Sequence, residues 1–140
     1  SESAAPSAQF DSALRGARAL VFCPSNPFLS VAPILSIKGI RQRIALFDKP
    51  RVVVSPIVAG NALRGPAAKM LLELGYPSSC LGVAQLYQGL CDIFIIDRAD
   101  RAHADAIQSL GMEPKITDIV MTTEQDKTTL AEFILNCLET

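Results

Sequence analysis

No two of the four cysteines stand in Cys-x-x-Cys spacing; they lie singly at 23, 80, 91 and 137. Each has apolar neighbours. The pattern reads as reduced, buried thiols and argues against a disulfide framework or a zinc ribbon. No apolar run approaches the ~18 residues of a membrane span. The opening stretch, SESAAPSAQF, has no basic region followed by an apolar one, so it does not read as a secretory signal. These absences together lead to the expectation of a cytoplasmic protein. Gly-x-Ser-x-Gly, His-Glu-x-x-His and paired-carboxylate motifs are all missing. The single histidine, His103, has no Cys or Asp at nucleophile-triad spacing and reads as a surface residue. Aromatic residues are scarce where positive charge is dense. Between 12 and 69 only Phe22, Phe28 and Phe47 occur, which argues against a base-stacking surface for nucleic acid.

What is present is a chain of 140 residues, 49% hydrophobic and 19% charged. That is the size and balance of one globular domain able to fold without staples. Residues 12–69 hold nine Lys/Arg against the single Asp48, whereas residues 70–140 hold four against eleven Asp/Glu. The basic half hints at an anionic ligand.

Short apolar runs alternate with helical stretches. Helix is expected over 7–16, from about Ser30 to Phe47, from Pro66 to Leu74, over 81–90, over 100–110 and after Thr123. Strands are expected over 18–23, 51–55, 92–97 and 115–121. Gly75 suits a left-handed helix end, with Pro77 as the stop. Thr123 and Asp126 resemble a capping box, followed by a helical stripe of Leu130, Phe133, Ile134, Cys137 and Leu138. This alternation implies an α/β fold of Rossmann-like, three-layer type with a mainly parallel sheet. Residues 1–9 read as a flexible arm and 10–140 as the α/β part.

Ligands of such sheets bind beyond the carboxyl ends of the strands. Three segments fall there: Pro24–Ser30, Ser55–Gly65 and Asp97–Asp100. In CPSNPFLS, a strand hands over to a helical turn whose first N–H groups lack intrahelical partners. Ser25, Asn26 and Ser30 add polar groups, and Pro24, Pro27 and Pro33 stiffen the path. This is either an anion site or an ordinary turn with Ser30 as its cap. In SPIVAGNALRGPAAKML, Gly60 and Gly65 bracket Arg64. Pro66-Ala67 stands where a P-loop has Lys and Ser/Thr, so this is not that loop. Arg64 is suited to a bidentate phosphate or carboxylate contact, or stands as a solvated arginine at a helix start. Asp97 and Asp100 are capable of holding Mg²⁺ or a ribose, but before a helix they read as caps.

The segments VFCPSNPFLSVAPILSIKGIR, VVVSPIVAGNALRGPAAKMLLELGY, LGVAQLY, FIIDRAD and SLGMEPKITDIVMTTEQDKTTLA resemble, in order, the 2-phospho-L-lactate transferase family of coenzyme F420 biosynthesis. The likeness runs from about Leu20 to Leu138. Members of that family are about twice as long, so the resemblance implies the C-terminal half of a larger domain. It further implies transfer of a phospho-acid from a lactyl- or enolpyruvyl-diphospho-guanosine donor to the deazaflavin Fo, with Mg²⁺ and release of GMP. Ser25, Asn26, Pro27 and Ser30 are implied as the donor-nucleotide loop, and Gly60, Arg64 and Gly65 as a second edge loop. The catalytic and magnesium-linked acids are implied in the other half. Ala59 stands where the family usually has Gly, and Arg64 where it often has Lys. Two other readings remain open. One is a nucleotide-sugar-binding regulator like the related gluconeogenesis factors, whose loop reads more like Pro-Gly-Ser-x-x-Thr-Ser. The other is an inactive half-domain that self-associates into a homo-oligomer through an apolar edge.

Overall fold

The computed structural model describes residues 4–139. Four strands form one sheet: β1 (Leu20–Phe22), β2 (Arg51–Val54), β5 (Ile93–Asp97) and β6 (Glu113–Thr117). They lie in the order β1-β2-β5-β6 and all three pairings are parallel. The register sets Phe22 beside Val53 and Val54 beside Ile95. The β-branched runs RVVV and IFII make the two central strands, which are buried on both faces.

Side-chain alternation divides these strands between two cores. Val53, Phe94 and Ile96 point into the larger one. There they meet Ile40 and Ile44 of α3 (Ile40–Ala45), Leu71 of α4 (Ala67–Glu73), Val83 of α5 (Cys80–Leu86) and Ile107 of α6 (Ala104–Ser109). Phe22 closes the rim of this core edge-on against Tyr87, with ring centroids 5.1 Å apart. Val52, Val54, Ile93 and Ile95 point the other way, against Leu130, Phe133, Ile134, Cys137 and Leu138 of α7 (Glu124–Leu138). The expected stripe is therefore the buried face of α7. Its capping box also forms: Thr123 Oγ1 accepts from the Asp126 N–H, and Asp126 Oδ2 accepts from the Thr123 N–H at 3.0 Å. The three-layer parallel arrangement matches expectation.

Several boundaries differ, each for a local reason. The expected helix from Ser30 to Phe47 is split. A π-type turn (Pro27–Val31) runs into the short α2 (Ala32–Leu35), and Gly39, at φ +84°, turns the chain before α3 begins. The helix expected from Asp100 begins instead as a 3₁₀ turn (Arg98–His103) before α6. The last strand lies at 113–117 and not at 115–121. As an edge strand it tolerates Pro114, while Ile119 leaves the sheet to pack under α7. Between β2 and α4, where a loop is expected, stands a small antiparallel hairpin. It consists of β3 (Ile57–Val58) and β4 (Asn61–Ala62). At the amino terminus, α1 (Ala8–Gly16) is capped by Ser7 and includes the last two residues of the expected arm. Residues 1–3 of that arm lie outside the described residues. No helix among the described residues is long and apolar enough to cross a membrane.

The thiol expectation holds for two of the four. Cys80 and Cys91 are buried, and burial pushes both up to about 12. Cys23 is exposed and Cys137 half-buried, because β1 ends at Phe22 and α7 turns Cys137 toward its rim.

Candidate functional site

A cleft of about 450 Å³ opens at the carboxyl ends of the strands. Pro24, Ser25 and Asn26 line it from the turn after β1. Pro56, Leu63 and Arg64 come from the turn and hairpin after β2, and Val120, Met121 and Thr122 from the segment after β6. Lys127, one turn into α7, completes the wall. The cleft thus has two cations and no carboxylate among its lining residues. Arg64 has no carboxylate partner among the described residues. Lys127 is held by Glu124 at 2.8 Å, in an ion pair whose members are both exposed.

The first edge segment does less than its sequence suggests. Asn26 caps the π-type turn: its Oδ1 accepts from the Phe28 N–H at 2.9 Å and the Leu29 N–H at 3.1 Å. The cap is therefore Asn26 and not Ser30. The N–H groups expected to face an anion are already satisfied from within the chain. The Ser30 N–H in turn donates to the Asn26 carbonyl at 3.0 Å, and Ser30 is exposed outside the cleft lining. Pro27 is buried beneath the turn, facing the Leu86–Tyr87 side instead of the cleft. Ser25 and Asn26 remain as cleft residues of this loop.

The second edge segment is shaped by the hairpin. Ala59 at φ +51° and Gly60 at φ +81° form its tip, and Gly65 at φ +70° turns the chain into α4. Gly60 and Gly65 stand outside the cleft lining. Their left-handed backbone is what brings Leu63 and Arg64 to the cleft. The hairpin is held at two points. Buried Ser55 accepts from the Ile57 N–H and donates to the Ile57 carbonyl through the same hydroxyl. The Asp100 carboxylate accepts the Ala59 N–H at 3.1 and 3.2 Å.

Asp97 behaves as the cap it was expected to be, accepting from the Ala99 N–H at 3.0 Å. Its other oxygen takes the Ile119 N–H at 3.0 Å. Asp100 does not cap its own helix; it is 4% exposed and reaches back to the hairpin. His103 is not an isolated surface residue either. It is half-buried, and one of its ring nitrogens lies within 4.8 Å of ligand atoms of both Cys80 and Asp100. Sequence reasoning missed Lys127 and the 120–122 segment as cleft residues. The only available signal was their place after the last strand of a parallel sheet.

A parallel sheet carrying helices on both faces, with a cationic cleft beyond its carboxyl edge, defines an α/β domain of the Rossmann-like type. Residues 1–134 match the family model described as 2-phospho-L-lactate transferase CofD. The 2-phospho-L-lactate transferase of Methanosarcina acetivorans is 38% identical over 117 residues, covering 84% of this chain and 38% of that protein. That of Methanocaldococcus jannaschii is 38% identical over 123 residues, covering 88% and 38%. A crystal structure of a Bacillus halodurans protein superposes with a TM-score of 0.61 at 19% identity, covering 94% of this chain and 47% of that one. The chain belongs to the 2-phospho-L-lactate transferase family, and it spans 38% of the length of the curated relatives it matches.

Proposed function

We propose that this chain supplies the donor-nucleotide side of a 2-phospho-L-lactate (or phosphoenolpyruvate) transferase of coenzyme F420 biosynthesis. The observation that carries this reading is the carboxyl-edge cleft, which Arg64 and Lys127 both line and which no carboxylate lines among the described residues. In the proposed reaction, a hydroxyl of the deazaflavin Fo attacks the phosphorus that bears the acid. The bond from that phosphorus to the bridging oxygen breaks, and GMP leaves with the bridging electrons. The attacking hydroxyl loses its proton to a base outside this chain.

Three contributions fall to the residues present here. The Arg64 fork binds two diphosphate oxygens at once, and Lys127 adds a point charge where the leaving phosphate gains negative charge. Ser25 and Asn26 supply another part of the cleft wall. The stiff Pro24–Pro27 backbone keeps that wall in place without losing freedom on binding.

A magnesium ion does not fit the residues of this cleft. Mg²⁺ takes oxygen ligands, and no carboxylate lines the pocket among the described residues. In this reading any Mg²⁺ would be held by acidic residues in the part of the relatives that this chain does not span.

The test is a calorimetric titration of the chain with GDP, using UDP-N-acetylglucosamine as the comparison ligand. Selective GDP binding that weakens in Arg64→Ala is the expected outcome. Preference for the UDP-sugar would replace the transferase reading with that of a nucleotide-sugar regulator. If GDP binding is absent, repeating the titration with the remainder of a full-length relative added in trans decides the matter. Absence there as well rejects the donor assignment.

A further inference from the structure

Beneath the hairpin, and apart from the cationic cleft, three side chains of different chemistry converge. Cys80 is the first residue of α5. Asp100 and His103 lie three apart on the 3₁₀ turn after β5. With three residues per turn, positions i and i+3 of a 3₁₀ helix share one face, so both side chains are directed toward α5 together. One ligand atom from each of the three residues lies within 4.8 Å of the others.

We propose that Cys80, Asp100 and His103 bind a single zinc-type divalent transition-metal cation, with water completing a tetrahedral set. Sulfur, imidazole nitrogen and carboxylate oxygen form a borderline-soft donor set. It suits Zn²⁺ or Co²⁺ and disfavours Mg²⁺ and Ca²⁺, which take oxygen ligands. Ideal bond lengths place such ligand atoms roughly 3.3–3.6 Å apart, so closing on a cation needs a contraction of at most about 1.5 Å, within reach of side-chain rotation.

Charge supports the same site. Asp100 is 4% exposed, and its hydrogen-bond donor is the Ala59 N–H. Among the described residues no Lys or Arg pairs with it. A carboxylate buried this way lacks a counter-charge that a cation would provide. Access is provided by His103, which is half-buried and so leaves one side of the trio open to solvent. On coordination the Cys80 sulfur–hydrogen bond breaks, the proton passes to solvent, and the sulfur electron pair forms the metal bond. The cation would join the start of α5, the 3₁₀ turn and, through Asp100, the hairpin that leads to Arg64.

The experiment is a titration of the chain with Co²⁺ alone, followed by absorption spectroscopy, with Zn²⁺ as competitor. The expected result is one equivalent bound, with a thiolate-to-cobalt charge-transfer band that Zn²⁺ abolishes. The band disappears in Cys80→Ser, persists in Cys23→Ser, and needs at least tenfold more Co²⁺ in His103→Ala. His103 is the safer position should Cys80→Ser fail to fold, because it is only partly buried. Bound metal should also raise the melting temperature of the parent and not of His103→Ala. Folded protein without the band overturns the proposal. So does a band that is unaffected by His103→Ala or lost in Cys23→Ser.

Discussion

The two ends of the parallel sheet carry clefts of nearly equal size, about 460 Å³ at the amino ends of the strands and about 450 Å³ at the carboxyl ends. They differ in how one arginine at each end is engaged, Arg43 at the first and Arg64 at the second. At the amino end, Arg43 meets Asp11 at 3.0 Å inside the cleft lined also by Asp48 and Lys49. Beside it, Arg51 grips both oxygens of Asp92 and donates to the carbonyls of Ile44, Ala45 and Gly89. At the carboxyl end, Arg64 has no such partners among the described residues. An arginine surrounded by internal acceptors stabilises the fold, whereas one facing open space without a carboxylate remains available to an anionic ligand. Cleft volume does not distinguish these two uses, but the hydrogen-bond partners do.

The comparison breaks most visibly at Arg51. Its side chain is 13% exposed, and Arg51→Ala removes the ion pair to Asp92 and three side-chain bonds to the carbonyls of Ile44, Ala45 and Gly89. A loss of about 2 kcal/mol in denaturant unfolding is expected, with no change in nucleotide affinity. The same pair gives a pH signature. The Arg51 side-chain hydrogen bond holds the Asp92 carboxyl below its usual value. A carboxyl lowered in the folded state adds stability that is complete above its unfolded value, about 3.9, and is lost as pH falls through the lowered folded value. Asp92→Asn should flatten that acid limb in melts recorded from pH 6 downward, about two units above the unfolded value. Arg64→Ala should do the reverse of Arg51→Ala: at least about tenfold weaker GDP binding by calorimetry, with the melting point unchanged. Arg43→Ala, at the other end, should leave GDP affinity as it was. The smallest effect sharpens the contrast within the carboxyl edge. Asn26→Ala removes the cap of the π-type turn and should cost about 1 kcal/mol of stability. Any fall in GDP affinity in that variant should be smaller than for Arg64→Ala.

The sheet was legible because its signals are local. RVVV and IFII are runs that only a doubly covered strand tolerates, and TTEQD followed by spaced apolar residues announces a capped amphipathic helix. Gly75 adopts the left-handed conformation expected of a helix end, φ +85°. The site was only partly legible, because its decisive contacts are not local. Asn26 before Pro27 is a cap signal, but Ser30 offers a competing one, and local sequence does not decide which side chain occupies the N–H groups an anion would need. The hairpin strands are two residues each, too short to show alternation. Lys127 becomes a cleft residue only once α7 has docked beside the carboxyl edge. Asp100 reads as a cap from its neighbours, and its true partner lies 41 residues earlier.

That last bond has a consequence for the order in which the molecule assembles. Closing a loop of this length costs entropy that local turns do not repay, so the contact forms after β5 has settled beside β2. The hairpin after β2 therefore remains a loosely held excursion until the 3₁₀ turn is in place, and Arg64 is among the last groups to reach its working position. Lesions in the second half of the chain, far from any ligand, can for this reason disarm the cleft while leaving the first two strands paired.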